Sequence, residues 1–278
     1  MDYDLLAVDL DGTLLNSQHR LAPPDRAALH RAHEAGLRIV LCTGRSYPET
    51  RPVLAEIGLD LDAVVTAFGA MITDVRTGRT RERVPIELPL ARRVTDWFLA
   101  GGFPVLWLND AEEAGVDGYL IDGPRRHPAV ERWVRQSPCR IDSVAGHTGL
   151  GFAPLRISII DEPEILAGVS AELRRTFGDR LRHNLLRAPM YDLTVIETFA
   201  PQVSKWQAVA RLCRDWGIDP ARTVAIGDDV NDVDLVRSAG LGVAMANAHP
   251  DVKRVARRVT ADHDSAGVAA LLEDLLGA

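Results

Sequence analysis

Two stretches of the chain, one near each end, repeat a short apolar strand followed by a helix. This rhythm constrains the fold more than any other feature. The first stretch predicts strands at 5–10, 37–42 and 62–67, separated by helices at 24–35 and 46–57. From residue 204 the rhythm returns, with helices predicted at 204–216, 232–239 and 265–276 and strands at 223–226 and 242–245. Apolar strands joined by helices are typical of a parallel sheet that helices cover on both faces.

The middle of the chain has a different pattern, which predicts a second domain inserted into the first. Residues 71–84 are polar, contain a Thr-Gly turn signal and predict a hairpin that leads out of the sheet. Beyond this hairpin the predicted order is helix, strand, strand, helix, strand, helix, strand, strand. We therefore expect an α/β domain formed by residues 1–83 and 199–278. An α+β domain at 84–198, with helices on one face of an antiparallel sheet, would interrupt it.

Charge and composition disfavour several classes of function. The 278 residues carry a formal net charge of −7 without a basic block, so we expect no binding to nucleic acid or to a membrane. Three widely spaced cysteines, an odd number, argue against a disulfide framework and for a reducing compartment. No apolar run approaches the roughly 20 residues that span a bilayer, and the first residues lack a secretory signal pattern. We expect a cytoplasmic protein, and the sequence does not fix its oligomeric state.

The first chemical motif is the sequence DLDGT at 9–13, at the carboxyl end of the first predicted strand. Ligands bind at this end of the strands in open α/β sheets. Asp9 and Asp11 would point the same way in a strand, and two such carboxylates repel unless a cation or a proton separates them. The alternative interpretation is an Asp-Gly turn with two solvated acids.

Two further segments could hold a phosphate group. Thr43-Gly44-Arg45 directly follows the second predicted strand, where a hydroxyl and a glycine at the start of a helix suit a phosphate oxygen. An ordinary N-cap threonine would look the same, and Arg45 could contact a substrate or pair with an acid. Lys205 opens the helix after the insert, where a cation opposes the helix dipole. A surface lysine is the default interpretation there unless a phosphate or an acidic cluster lies nearby.

The last motif is GDDVND at 227–232, after the strand predicted at 223–226. Three acids and an amide at a strand end suit a hard cation with oxygen ligands. The alternative is a polar loop that caps the next helix through Asn231 or Asp232. All four motifs fall at the ends of strands in the same kind of sheet. We therefore expect one site that contains acids, a hydroxyl, a lysine and a metal ion.

These four segments, in this order, resemble the haloacid dehalogenase-like superfamily and, more narrowly, its Cof-type branch of sugar-phosphate phosphatases, subclass IIB. The resemblance covers essentially the whole predicted core, including Ala239-Gly240 and the stretch 244–248. The insert falls where that branch carries its cap domain. The resemblance therefore implies a Rossmann-like parallel-sheet core at 1–83 and 199–278 with an inserted α+β cap domain at 84–198.

The resemblance also implies a magnesium-dependent phosphatase that hydrolyses a small phosphorylated metabolite, such as a sugar phosphate, through an aspartyl phosphate. In that mechanism Asp9 is the nucleophile and Asp11 is the general acid and base. The implied phosphate-binding residues are Thr43, Gly44, Lys205 and Asn231. The implied Mg²⁺ ligands are Asp9, the main-chain carbonyl of Asp11, Asp228 and Asp232.

Three positions depart from the pattern of the branch. Phe68-Gly69 stands where Asn-Gly is usual, Trp206 where a glycine follows the lysine, and Asp234 where an apolar residue is common. The first two leave the substrate open. Two other functions stay as alternatives: a phosphomutase that uses the same nucleophile but returns the phosphate to its substrate, and a non-catalytic, metal-bound ligand sensor.

Overall fold

The computed structural model describes residues 2–125, 127–188 and 191–277, which form two compact units. The first unit, called the core below, contains the residues up to Arg81 and those from Ser204 onward. The second unit, called the insert, is Glu82–Val203. The domain bounds given by the sequence and the role of the insert as a cap stay predictions. Among the described residues, no helix is both long and apolar enough to cross a membrane.

Strands and helices are numbered separately along the chain. The strands are β1 (Leu5–Val8), β2 (Arg38–Cys42), β3 (Ala63–Thr66), β4 (Met71–Asp74), β5 (Thr80–Arg83), β6 (Val105–Leu108), β7 (Gly118–Ile121), β8 (Ile141–Val144), β9 (Arg156–Ile160), β10 (Arg182–Ala188), β11 (Leu193–Phe199), β12 (Thr223–Gly227), β13 (Leu241–Ala244) and β14 (Arg258–Val259). The helices are α1 (Pro23–Glu34), α2 (Tyr47–Ile57), α3 (Leu88–Ala100), α4 (Ala111–Ala114), α5 (Pro128–Gln136), α6 (Pro163–Phe177), α7 (Lys205–Trp216), α8 (Val233–Ser238), α9 (Pro250–Val255) and α10 (Gly267–Leu276).

The core is built on a sheet in the order β14-β13-β12-β1-β2-β3-β4-β5. The strands from β14 to β3 are parallel, and β4 runs antiparallel to β3. Strand β1 lies between β12 and β2, so its neighbours come from opposite ends of the chain. The predicted Rossmann-like parallel sheet is confirmed, and its central strand is the one that carries the first acidic motif.

Apolar clusters cover both faces of the core sheet. Leu6 and Val8 belong to a cluster with buried residues of α1 and α10, while Ala7 belongs to a cluster with α7. Every residue of β1 is fully buried. A strand covered on both sides needs apolar residues at every position, which explains the uninterrupted apolar runs in the sequence.

Asp25 links the first and last helices of the core. Its Oδ1 accepts a hydrogen bond of 2.8 Å from the amide of Ala269, in the first turn of α10. The cap residue of α10, Ala266, has φ 52° and provides no side-chain cap. Asp25 therefore fills the cap position from α1. Burial raises the pKa of Asp25 to about 6, although its hydrogen bonds with backbone amides act in the opposite direction.

The insert contains a sheet in the order β10-β11-β9-β6-β7-β8. Its neighbouring strands are antiparallel except β7 and β8, which are parallel. Trp107 on β6 donates to Thr95 of α3 at 2.8 Å, whereas its neighbour Leu106 packs in a cluster with Trp133 of α5. Since successive strand residues face opposite sides, α5 and α3 cover opposite faces. The expectation of helices on one face is therefore wrong, and the expected antiparallel pairing holds for every neighbouring pair except β7 and β8.

Candidate active site

A buried lysine joins two of the predicted acidic residues. Asp9 follows the last residue of β1, and its amide donates to the carbonyl of Ile226 at 3.1 Å. Lys205, the first residue of α7, donates from Nζ to Asp9 Oδ1 at 2.5 Å and to Asp232 Oδ1 at 2.6 Å. Only 1% of the Lys205 side chain is exposed. Lys205 is therefore buried, and the default interpretation of a surface lysine is wrong. Its two carboxylate partners offset the unfavourable position of a cation at the start of a helix.

The charges of this cluster are strongly coupled. Burial acts to lower the pKa of Lys205, but the carboxylates of Asp232 and Asp9 outweigh it and raise that pKa above its ordinary value. Burial, followed by repulsion from Asp232, raises the pKa of Asp9 well above its ordinary value, although Lys205 opposes both effects. Lys205 is thus held as a cation between acids that one positive charge does not fully balance.

A third carboxylate completes the cluster. Asp228 accepts a hydrogen bond of 2.8 Å from the Thr13 hydroxyl, and oxygens of Asp9, Asp228 and Asp232 all lie within 4.8 Å of one another. Burial, and next the charge of Asp232, raises the pKa of Asp228 to about 7. Three carboxylates and one ammonium leave two negative charges when all are ionised. Hard oxygen donors with that excess charge fit a divalent cation such as Mg²⁺.

Gly12 permits this arrangement through its small size and its backbone. Its φ is +79°, in the left-handed region that glycine adopts readily. A Cβ at this position would lie 2.3 Å from Asp228 Oδ2, so a side chain would displace the carboxylate. A glycine is therefore needed after Asp11 for steric reasons as well as for the turn.

Asp232 also supports the loop that carries Asp228. Its Oδ2 accepts hydrogen bonds from the amides of Asp228 and Asp229 at 3.1 and 3.2 Å, while its Oδ1 binds Lys205. Asp229 caps the short 3₁₀ turn Val230–Asp232, and Asp232 occupies the N-cap position of α8 without a side-chain cap hydrogen bond. The Oδ1 of Asn231 is buried without a hydrogen-bond partner among the described residues.

Asp11 lies apart from the acidic cluster. Arg45 donates to its carboxylate from Nε at 2.8 Å and from Nη2 at 2.5 Å, and the Asp11 side chain is 40% exposed. Since β1 ends at Val8, neither Asp9 nor Asp11 lies in the strand, and the argument from strand alternation does not apply to them. Of the two possibilities left open for Arg45, the structure shows pairing with an acid.

The segment after β2 presents Thr43 and Gly44 at the carboxyl end of the sheet. Thr43 is 1% exposed, and its hydroxyl accepts a hydrogen bond of 3.1 Å from the Arg45 amide. The N-cap of α2 is Ser46, which forms a capping box with Glu49. Thr43 is therefore not an N-cap, and that alternative interpretation is wrong.

Phe68 adopts an uncommon backbone conformation beside this segment. It has φ 57° and ψ 21°, and the preceding Ala67 has φ 48°. The left-handed region costs a residue with a side chain roughly 1–2 kcal/mol. Two hydrogen bonds hold the turn, from the Phe68 amide to the Thr43 carbonyl at 3.0 Å and from the Ala67 amide to the Arg45 carbonyl at 2.9 Å.

The structure joins Asp9, Lys205, Asp228 and Asp232 directly, and Asp11 stands outside their cluster. The sequence interpretation missed Thr13 as a partner of Asp228, although it belongs to the first motif. It did not identify Asp11 as the acid that pairs with Arg45, because residue spacing carries no signal for that choice. Trp206 packs against the apolar cluster that lies on α7, so its side chain serves the core.

Comparisons with known proteins match nearly the whole chain. Residues 6–272 match the family model described as haloacid dehalogenase-like hydrolase. The putative phosphatase YxeH of Bacillus subtilis is 29% identical over 99% of this chain and 98% of its own. The 5-amino-6-(5-phospho-D-ribitylamino)uracil phosphatase YwtE of B. subtilis is 26% identical over 98% and 97%. A solved structure of a subclass IIB sugar phosphatase has a TM-score of 0.79 at 21% identity and covers 99% of both chains, which shows a shared fold.

Proposed function

The chain belongs to the haloacid dehalogenase-like hydrolases and is a phosphatase, and we propose that it hydrolyses small phosphate monoesters, sugar phosphates among them, through a phosphorylated Asp9. The family inferred from the four motifs is confirmed by these matches. The observation that carries the proposal is the buried cluster in which Lys205 contacts Asp9 while Asp228 and Asp232 lie close by.

The nucleophile must approach an anionic phosphate. At 3.5 Å each pair of unit charges repels by about 1 kcal/mol in water and by about 5 kcal/mol at an effective dielectric constant of 20. Lys205 lowers this barrier because its ammonium stays charged beside Asp9 and neutralises part of the transferring group. Thr43, Gly44 and Asn231 are assigned to the remaining phosphate oxygens.

Two balanced steps complete the reaction. Asp9 attacks phosphorus, the bond to the leaving oxygen breaks, and Asp11 donates a proton to that oxygen. Water then attacks the phosphoaspartate while Asp11 accepts its proton, which releases phosphate and restores Asp9. Because Arg45 donates two hydrogen bonds to the Asp11 carboxyl group, these contacts must open before Asp11 can donate a proton to the leaving oxygen.

The acidic cluster fits Mg²⁺ by the chemistry of its donors. We assign Asp9, Asp228 and the main-chain carbonyl of Asp11 as the residues that would hold it. Both oxygens of Asp232 accept hydrogen bonds from the chain itself, so its inclusion among the ligands stays a prediction. When bound, the ion would neutralise charge between the carboxylate and the phosphate and polarise the ester.

A phosphate-release assay tests this function. Purified protein with p-nitrophenyl phosphate and a panel of sugar phosphates should release phosphate with Mg²⁺ and lose that activity with excess chelator. Product analysis separates the phosphomutase alternative, because a mutase forms an isomeric sugar phosphate. A protein that binds these esters but turns over none of them would instead support the ligand-sensor alternative.

The role of the insert as a cap is part of the proposal. The predicted core residues contact phosphate, metal and reacting oxygens, which every phosphate ester shares. Selection among sugar phosphates then requires side chains that contact the leaving group. We propose that the insert provides most of these side chains. Replacing 84–198 by a short linker should leave activity on p-nitrophenyl phosphate but remove preferences among sugar phosphates. A folded variant with the same ranking would refute this role.

A further inference from the structure

Phe68 borders the predicted phosphate-binding groups but has no role in the mechanism above. Its ring packs on Gly44 so closely that a Cβ on Gly44 would lie 2.4 Å from Phe68 Cζ. The centroid of the ring is 5.9 Å from Lys205 Nζ. Since Gly44 and Lys205 are both assigned to the phosphate, the ring lies beside the place where the phosphate ester would bind.

The backbone around Phe68 fixes the position of this ring. The amides of Ala67 and Phe68 donate to the carbonyls of Arg45 and Thr43, so the turn after β3 is tied to the phosphate-binding segment after β2. Phe68 is 8% exposed. Its left-handed φ of 57° is an outlier for a bulky side chain, whereas asparagine and glycine adopt that conformation readily. Local backbone preference therefore does not explain a phenylalanine here.

The chemistry of a phenyl ring suggests what the position selects. A phenyl group offers neither a hydrogen-bond donor nor an acceptor, so a substrate hydroxyl placed against it loses water without replacement. A C–H-rich or aromatic surface gains contact there instead. Phe68 therefore makes this boundary of the predicted site apolar.

We propose that Phe68 is a specificity-determining residue, and that it favours phosphate esters whose leaving group presents a C–H-rich or aromatic face next to the phosphate. Esters that present hydroxyl groups at that place are disfavoured. The proposal rests on the proposed phosphatase function and adds a substrate preference to it.

Two matched esters test the preference. Cyclohexylmethyl phosphate and glucose 6-phosphate both carry a primary phosphate ester on a six-membered ring, and they differ mainly in ring hydroxyl groups. The measured quantity is kcat/KM for each ester with the Mg²⁺-loaded wild type, Phe68→Asn, Phe68→Gly and Phe68→Leu. Asn and Gly suit the left-handed backbone, so these variants should fold. Leu keeps an apolar side chain and is the matched control.

We expect Phe68→Asn and Phe68→Gly to lower the ratio of kcat/KM for cyclohexylmethyl phosphate over glucose 6-phosphate by tenfold or more. Tenfold corresponds to about 1.4 kcal/mol. Phe68→Leu should keep the ratio within about threefold. An unchanged ratio in the Asn and Gly variants would overturn the assignment. An equal fall in the Leu variant would overturn it as well, because lost packing would then explain the effect.

The same measurements distinguish a failure of this preference from a failure of the function. If the wild type releases no phosphate from either ester or from p-nitrophenyl phosphate in the presence of Mg²⁺, the proposed function is rejected, and this inference with it. If the wild type is active and only the ratio is insensitive to residue 68, the function stands and the role of Phe68 is rejected.

Discussion

Replacing Lys205 by methionine tests the electrostatic account of the site without any assumption about the substrate. At 2.5 and 2.6 Å, each contact of Lys205 with a carboxylate is an attraction of roughly 6–7 kcal/mol at an effective dielectric constant of 20. Most of this offsets the cost of removing the charges from water. Loss of one partner from a buried ion pair leaves an uncompensated charge and costs about 3–5 kcal/mol.

We therefore expect Lys205→Met to lower the free energy of unfolding of the core by about 3–5 kcal/mol at pH 8. The loss should be smaller at pH 5.5, because Asp9 can bind a proton in place of its contact with the ammonium. Burial already raises the pKa of Asp9 above its ordinary value. Without Lys205 that pKa rises further, so the variant gains stability as pH falls and loses it as pH rises.

Denaturant unfolding followed by circular dichroism, in excess chelator, measures the free energy of unfolding at pH 8 and at pH 5.5. The sequence offers a matched control, because Lys253 is the only other lysine of the chain and is exposed. Lys253→Met should change the stability by less than about 0.5 kcal/mol at either pH. If Lys205→Met loses less than about 1 kcal/mol at pH 8, or loses equally at both pH values, the three carboxylates are not the coupled cluster described.

Three further predictions concern individual carboxylates. Asp9→Asn should retain the wild-type circular dichroism spectrum yet release phosphate at least about a thousandfold more slowly, because the attacking charge is gone; substantial activity in a contaminant-free preparation would contradict a covalent mechanism. Asp228→Ala should weaken Mg²⁺ binding in calorimetric titrations while Asp11→Asn retains it, and equal losses would show that the assigned roles are wrong. The pKa of Asp25 is about 6 when folded against 3.8 ordinarily, so its contribution to stability is complete below pH 3.8 and is lost as pH rises through 6. Between pH 5 and pH 7 this loss is about 1.3 kcal/mol of unfolding free energy. Asp25→Asn should abolish this decrease between the two pH values. If the unfolding free energy of the variant depends on pH as that of the wild type does, the raised pKa of Asp25 is contradicted.

The sequence predicts the core well because its signals are local and repeated. Apolar strands, each followed by a polar motif, determine both the parallel sheet and the edge at which the motifs meet. The acidic cluster of Asp9, Asp228 and Asp232 follows from that topology alone. The same local signals do not show which oxygen binds which partner. The contact of Arg45 with Asp11 depends on where the first strand ends. The sequence predicted a strand that continues to residue 10, whereas β1 ends at Val8, so the predicted direction of the Asp11 side chain had no basis.

Features that depend on distant contacts were missed for physical reasons. Strand β8 is half polar and partly exposed, so it has neither the alternation nor the apolar run that identifies a strand. Asp25 resembles an ordinary acid in the first turn of α1, yet its partner Ala269 is 244 residues away. Lys205 resembles a surface lysine in the sequence, because its partner Asp9 is 196 residues away along the chain and comes into contact only in the folded protein. Sequence spacing contains no signal for such pairs.

The position of β1 between β12 and β2 has a consequence for how the protein is made. Lys205 and Asp9 are separated by 196 residues, and Thr13 and Asp228 by 215. A ribosome that adds about 5–20 residues per second needs roughly 10–40 seconds to synthesise the chain between Asp9 and Lys205. During this time β1 can pair with β2, but its other edge exposes unpaired amides and carbonyls on a wholly apolar strand. Such an edge invites pairing with other chains. Until β12 is synthesised, the strand that leads to Asp9 therefore has one unpaired apolar edge, which favours aggregation of the nascent protein.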